Sequence, residues 1–263
     1  MKYYVVDAFT DELFKGNPAG ICILDKWLDD NLLQNIAFEN NLAETAFVVK
    51  NNSQYDLRWF TPETEIDLCG HATLASAFII INFIDKDNRF ISFNTKSGIL
   101  AVNYNEENKL YEMDFPSRKP IKNEINQIVQ DAINIKIKEA YMARDLLLLI
   151  ETEKQVKELE INFELLKTYK DCFAFIITAQ SSNNEYDFVS RFFAPNAGII
   201  EDPVTGSSHS TLIPFWAERL GKNRLIAKQL SKRGGTLYCE KNGDRVKISG
   251  NAKLYLEGNI KIK

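Results

Sequence analysis

The sequence predicts an α/β protein built as two similar lobes, each with strands followed by one buried helix. Three observations lead there. First, the second half repeats the first. Tyr55-Asp56-Leu57-Arg58-Trp59-Phe60-Thr61-Pro62 is echoed by Tyr186-Asp187-Phe188-Val189-Ser190-Arg191-Phe192-Phe193-Ala194-Pro195, and each is preceded by an aromatic strand pattern, Ala46–Val49 and Ala174–Ile177. Second, each copy is followed by a loop, a glycine (Gly70 or Gly206) and an apolar helical stretch, 71–83 or 207–220. The first of these is apolar nearly all round, the pattern of a buried helix. Third, Asp114-Phe115-Pro116-Ser117-Arg118-Lys119-Pro120 breaks both periodicities and reads as a linker.

The elements follow in order. Tyr3–Val6 is a strand, Lys15-Gly16-Asn17-Pro18 a turn, and Ala19–Leu24 a second apolar run. Asp29 is a plausible N-cap with Leu28 and Leu33 as a hydrophobic staple. Leu32, Leu33 and Ile36 then recur at helical spacing, and the helix should end near Asn40-Asn41. Thr45–Val49 is a strand, so Glu44 falls at a strand entrance; Asp56–Phe60 is another.

The totals narrow the function. A chain of 263 residues suits one large domain or two of about 130. Net charge is −4 with no basic stripe, which argues against nucleic acid. The N-terminus reads as a strand and not a signal peptide, and the longest apolar stretch, 74–83, is too short to span a bilayer. A cytoplasmic protein with no membrane partner is expected. Cys22, Cys69, Cys172 and Cys239 form no CxxC pair, so free thiols are expected. With only His71 and His209 as histidines, a metal cluster is not expected.

Two similar lobes would face each other across a cleft, each aiming a helix N-terminus at it, where free N–H groups and the positive dipole end bind an anion. Arg233-Gly234-Gly235 lacks the spacing of a phosphate-binding P-loop and reads as a tight turn.

Seven motifs, in order, carry a resemblance. They are Val6–Phe9 with Phe14–Ala19; Asn41–Phe47; Arg58–Pro62; Asp67–Thr73; Arg191–Pro195; Glu201–Ser207; and Gln229–Gly235. Together they resemble the PhzF-like phenazine-biosynthesis isomerases, a branch of the diaminopimelate-epimerase fold. Only residues 116–170 carry no recognisable motif. The resemblance implies two pseudo-symmetric lobes, 1–116 and 117–263, each a curled, mostly antiparallel sheet around a central helix. It implies that the last strand, within 252–263, returns to the first lobe. It also implies no cofactor, a homodimer, and a small anionic substrate.

Moving a proton on a carbon acid needs a positioned base and something to hold the developing charge. Glu44 is the candidate general acid/base. Alone it reads as a surface carboxylate, but Ala43, Ala46 and Phe47 around it favour partial burial, and the resemblance places the family's catalytic glutamate here. His71 opens the buried helix. It is read either as a capping or core histidine or, by resemblance, as part of the catalytic site, and a helix N-terminus should keep it neutral. Asp202 is either a turn-former or, counted with Glu44 and His71 in the catalytic set, a polar anchor for a substrate amino or hydroxyl group. Ser207 is an N-cap, a holder of a substrate carboxylate together with Gly206, or both; Gly70 would play the same part in the first lobe. His209 is read as structural. Cys69 fits the place of one of the two opposed cysteines that related racemases use, but no cysteine stands near Asp202-Pro203-Val204. A packed thiol is therefore the better reading of Cys69. The expected function is a cofactor-independent isomerase, with an amino-acid epimerase or racemase, or a non-catalytic small-molecule binder, as alternatives.

Overall fold

The computed structural model of the chain describes residues 1–262 and divides it into two compact units. Unit 1 is Met1–Asp114 with the chain from Ser249 onward; unit 2 is Phe115–Ile248. The stretch read as a linker is part strand, since the last strand of the first half runs Leu110–Pro116.

Unit 1 comprises β1 (Lys2–Ala8), β2 (Asn17–Leu24), α1 (Asp30–Asn40), β3 (Glu44–Asn51), β4 (Gln54–Phe60), β5 (Glu65–Ile66), α2 (Gly70–Ile79), β6 (Phe90–Thr95), β7 (Gly98–Asn105) and β8 (Leu110–Pro116, whose end passes the unit boundary). Asp29 caps α1, its side chain accepting from the Asn31 amide, and Asn41 ends it in the left-handed conformation. The pairs β1–β2, β3–β4, β6–β7 and β7–β8 are antiparallel, while β2–β3 and β4–β6 are parallel. Helix α2 packs against β1, β2, β3 and β7, and its residues from His71 to Ala77 are all buried. Beyond Ile79 the chain widens into a π-helical turn, Ile80–Ile84, so the α-helix is shorter than its apolar pattern suggests.

Unit 2 comprises β9 (Ile121–Asn123), α3 (Gln127–Asp131), β10 (Glu139–Met142), β11 (Leu146–Leu149), α4 (Glu153–Lys157), α5 (Phe163–Leu166), β12 (Phe175–Gln180), β13 (Phe188–Ala194), β14 (Ile199–Asp202), α6 (Gly206–Leu220), β15 (Arg224–Gln229), β16 (Gly235–Asn242) and most of β17 (Arg245–Gly250). The final strand, β18 (Ala252–Asn259), belongs to unit 1 and pairs antiparallel with β1.

The repeat read from sequence is a repeat of topology. In unit 1, β2 runs parallel to β3, β3 antiparallel to β4 and β4 parallel to β6; in unit 2, β11, β12, β13 and β15 follow the same rule. The echoed arginines do the same job in both. Arg58 grips Glu65 through two bonds of 2.7 and 2.8 Å, and Arg191 grips Glu201 through two of 2.7 and 3.0 Å. Each fork ties a long strand to the short strand that leads into the central helix, and each guanidinium lies over a phenylalanine ring, Phe60 or Phe193. Among the described residues no helix is long and apolar enough to cross a membrane.

Candidate active site

The residues that carry chemistry in unit 1 converge on the first turn of α2. Glu44 is the first residue of β3, which lies beside α2. Cys69 caps α2 through its backbone only, and His71 is the second residue of the helix. Glu44 Oε2 stands 3.1 Å from His71 Nε2, with the two side chains 13% and 7% exposed. On the other edge of the ring, Nδ1 lies 3.4 Å from Cys69 Sγ and 3.3 Å from Asn17 Nδ2.

This arrangement corrects one expectation. The helix N-terminus was expected to keep His71 neutral. Burial does oppose its protonation, but Cys69 and Glu44 beside the ring outweigh it, and the imidazole pKa is raised well above its ordinary value. A carboxylate at 3.1 Å is a stronger neighbour than the partial charge of a helix end. Cys69 behaves as a packed thiol: burial, with Glu44 adding to it, raises its pKa.

Glu44, Cys69 and His71 each offer a metal-donor atom, all within 4.8 Å of one another. His71 faces the carboxylate through Nε2 and the thiol through Nδ1.

Unit 2 builds a corresponding helix start without the acid/base pair. Thr205 is the N-cap of α6, Gly206 its first residue and Ser207 its second. Ser207 is therefore not the N-cap it was expected to be; its hydroxyl accepts from Arg144 Nη2 at 3.3 Å, and Arg144 also forks onto the fully buried Asp145. Asp202 Oδ2 accepts from the Thr205 hydroxyl. Gln229, fully buried, binds the loop that carries both. Its Oε1 accepts from the Thr205 amide at 2.9 Å, and its Nε2 donates to the Asp202 carbonyl at 2.7 Å and the Thr205 hydroxyl at 3.2 Å. The Ser231 hydroxyl donates to the Pro203 carbonyl at 2.7 Å. The motif 229–235 thus ends in the expected turn, with Gly234 at φ +67°, but its first residues are the clamp on the Asp202 loop. His209 is buried, donates from Nδ1 to the Thr205 carbonyl at 2.8 Å, and has its pKa lowered by burial to about 4, in keeping with the structural reading.

Strand register shows how the repeat has diverged. Thr45 pairs with Phe60 and Phe175 with Phe193, so Ala174 occupies in unit 2 the place of Glu44 in unit 1. Likewise Thr205 stands where Cys69 does, and Ser207 where His71 does. The carboxylate–imidazole pair is a feature of one lobe alone. Asn17 and Gln229 were not singled out from sequence; a polar residue beside a glycine turn signals only a turn, and Gln229 acts across 24 residues.

Comparison with known proteins decides the lineage. The sequence matches the phenazine biosynthesis-like protein family, PhzC-PhzF, over residues 6–258. The chain belongs to this family. It is 47% identical to a protein of Pseudomonas aeruginosa named an uncharacterized isomerase, over 98% of this chain and 97% of that one. It is 45% identical to a protein of the same description from Halalkalibacterium halodurans, again over 98% and 97%. A PhzF family crystal structure from Enterococcus faecalis superposes with a TM-score of 0.96 at 47% identity, covering 99% of both chains. A hydroxyproline epimerase from Agrobacterium vitis shares the fold alone, with a TM-score of 0.62 at 9% identity over 98% and 91%. This PhzF-like chain therefore has both the curled two-lobed fold and the isomerase kinship that its motifs imply.

Proposed function

We propose that this family member is an isomerase that moves a proton between carbon atoms of a small carboxylate-bearing substrate, with Glu44 as the general acid/base. The observation that carries the reading is the Glu44–His71 pair: a carboxylate with little exposure, 3.1 Å from an imidazole that its neighbours favour in the charged form. Glu44 takes a proton from carbon, the electron pair of the broken C–H bond stays on the substrate, and the proton returns from Glu44 to a second carbon of the same molecule. His71 supplies a positive charge that orients the carboxylate and offsets charge developing beside it. No external oxidant or reductant is needed for that balance.

Asp202, Gly70, Gly206 and Ser207 are our proposed substrate-binding residues. The two glycines open α2 and α6, whose caps make no side-chain bond to the helix, which suits backbone amides to a carboxylate. Asp202 would take an amino or hydroxyl group. Against a two-thiol racemase stands Thr205 at the position of Cys69, together with the raised pKa of the Cys69 thiol, which disfavours the thiolate such chemistry uses.

The test is Glu44→Gln. Turnover of an isomerised carboxylate should fall by about 10²–10⁴-fold, the range typical of losing a general acid or base, with ligand-induced thermal stabilisation kept. A fully active variant rejects the proposal. Equal loss of binding and turnover would favour a role for Glu44 in holding the ligand.

A further inference from the structure

The second edge of His71 is not explained by the acid/base pair. A histidine that gains and loses a proton inside a protein must keep both ring nitrogens satisfied in both states, since a buried N–H without an acceptor is costly. Glu44 serves Nε2. Nδ1 is a donor in the imidazolium and an acceptor in the neutral ring protonated at Nε2. It faces Cys69 Sγ at 3.4 Å and Asn17 Nδ2 at 3.3 Å.

Asn17 is held where it is by more than its own bonds. It is fully buried, opens β2 and pairs with Ala8. The turn before it is tightly specified. Gly16 sits at φ +65°, and a Cβ there would meet the Ala8 carbonyl oxygen at 2.2 Å. Phe9 and Phe14 also adopt positive φ, 63° and 67°, values unusual for aromatic residues. The Phe9 amide donates to the Asn251 carbonyl at 2.8 Å, and the Phe14 amide donates to Asp7 Oδ2 at 3.0 Å. A strained turn fastened at both ends, delivering one buried amide to one imidazole, is the kind of construction found where position matters to function.

We propose that Asn17 is a positioning residue whose side-chain amide serves Nδ1 of His71 in both protonation states, turning by half a circle as the proton comes and goes. With Nδ2 toward the ring it donates to the neutral imidazole. With Oδ1 in the same place it accepts from the imidazolium. The two orientations have the same shape, so the surrounding packing need not move. Cys69 cannot replace it, since a thiol is a weak donor and a weak acceptor. The titratable groups bearing on the ring are Glu44 from β3 and Cys69 from the cap of α2, while Asp7 on β1 accepts from the Phe14 amide. The role in catalysis rests on Glu44 and His71 being the acid/base pair, but the effect on the ring does not.

The protein has only two histidines, so the ring nitrogens of ¹⁵N-histidine-labelled protein can be assigned by NMR, with the buried His209 as internal reference. The chain is titrated as wild type, Asn17→Leu and Asn17→Asp. In Asn17→Leu the imidazolium loses its Nδ1 acceptor, and the His71 midpoint should fall by about one pH unit, a tenfold weaker hold on the proton. In Asn17→Asp the fixed acceptor should raise the midpoint and keep the Nδ1 resonance in its protonated range. His209 should not move in either. Midpoints and Nδ1 shifts of His71 that match wild type in both variants overturn the proposal, as does an equal movement of His209. Should Asn17→Leu not fold, Asn17→Asp alone decides: an unmoved His71 refutes, a raised one supports. Failure of the parent reading shows separately, as an active Glu44→Gln enzyme.

Discussion

Replacing Gln229 by leucine tests whether the Asp202 loop is held by the clamp that the structure shows. Leucine is close in volume, so the change removes polar bonds and leaves little cavity. Three bonds are lost, to the Thr205 amide, the Asp202 carbonyl and the Thr205 hydroxyl. The hydroxyl keeps its bond to the Asp202 carboxylate, while the Thr205 amide and the Asp202 carbonyl lose the bonds that Gln229 supplied. At about 1–3 kcal/mol for each, the loss is about 2–6 kcal/mol, offset by about 1 kcal/mol from burying the apolar side chain. A net destabilisation of about 1–5 kcal/mol lowers Tm by about 2–20 °C for a protein of this size. Urea unfolding and calorimetry measure it directly. Substrate affinity should fall as well, because Asp202 and the start of α6 lose their anchor, while the titration of His71 should not change. A Tm within 2 °C of wild type would refute the assignment of Gln229 as the clamp.

Other outcomes follow from the same structure. Gly16→Ala forces a Cβ against the Ala8 carbonyl at positive φ and should cost about 2–5 kcal/mol, read as a lowered urea midpoint, with activity lost faster than stability as Asn17 is displaced. His209 gives a pH signature. Its folded pKa of about 4 lies below the ordinary histidine value of about 6.5, so the unfolded chain binds more protons between these limits. The stability it contributes is complete above about pH 6.5 and is lost as pH falls toward 4, by up to about 3 kcal/mol, and His209→Gln should flatten that slope. Ser207→Ala should raise KM for anionic substrates several-fold with kcat nearly unchanged; an unchanged KM would remove Ser207 from the binding site. Arg191→Lys, which keeps the charge but loses the fork onto Glu201, should lower stability by about 1–2 kcal/mol in thermal unfolding.

How much of this was legible in the sequence depends on the range of the interaction. The cap at Asp29, the end of the first helix at Asn41 and the repeat of the arginine–aromatic strands are local patterns, and they appear in the structure as read. Glu44 could be placed at a strand entrance, and the seven motifs pointed to it. The raised pKa of His71 could not be read, because it comes from Cys69 and Glu44 acting together on the buried ring, and Glu44 lies 27 residues earlier in sequence. Ser207 looked like an N-cap because serine often is one, yet the cap is Thr205 and the Ser207 hydroxyl is engaged by Arg144. Asn17 and Gln229 were invisible for a related reason: each looks like turn or strand-end polarity until folding brings it against a group far along the chain. The π-helical turn after Ile79 escapes a periodicity argument altogether, since its residues are as apolar as those of the helix before it.

The central claim is that Glu44 carries a proton to and from carbon. The most direct measurement is deuterium wash-in from D2O, followed by NMR, over a panel of small cyclic amino and hydroxy carboxylates that raise the protein's Tm. The account predicts wash-in at carbon with the wild-type protein for at least one of them, lost in Glu44→Gln while that compound still binds. Wash-in that survives in Glu44→Gln, or stabilising ligands that show no exchange at any carbon with the wild-type protein, would contradict it.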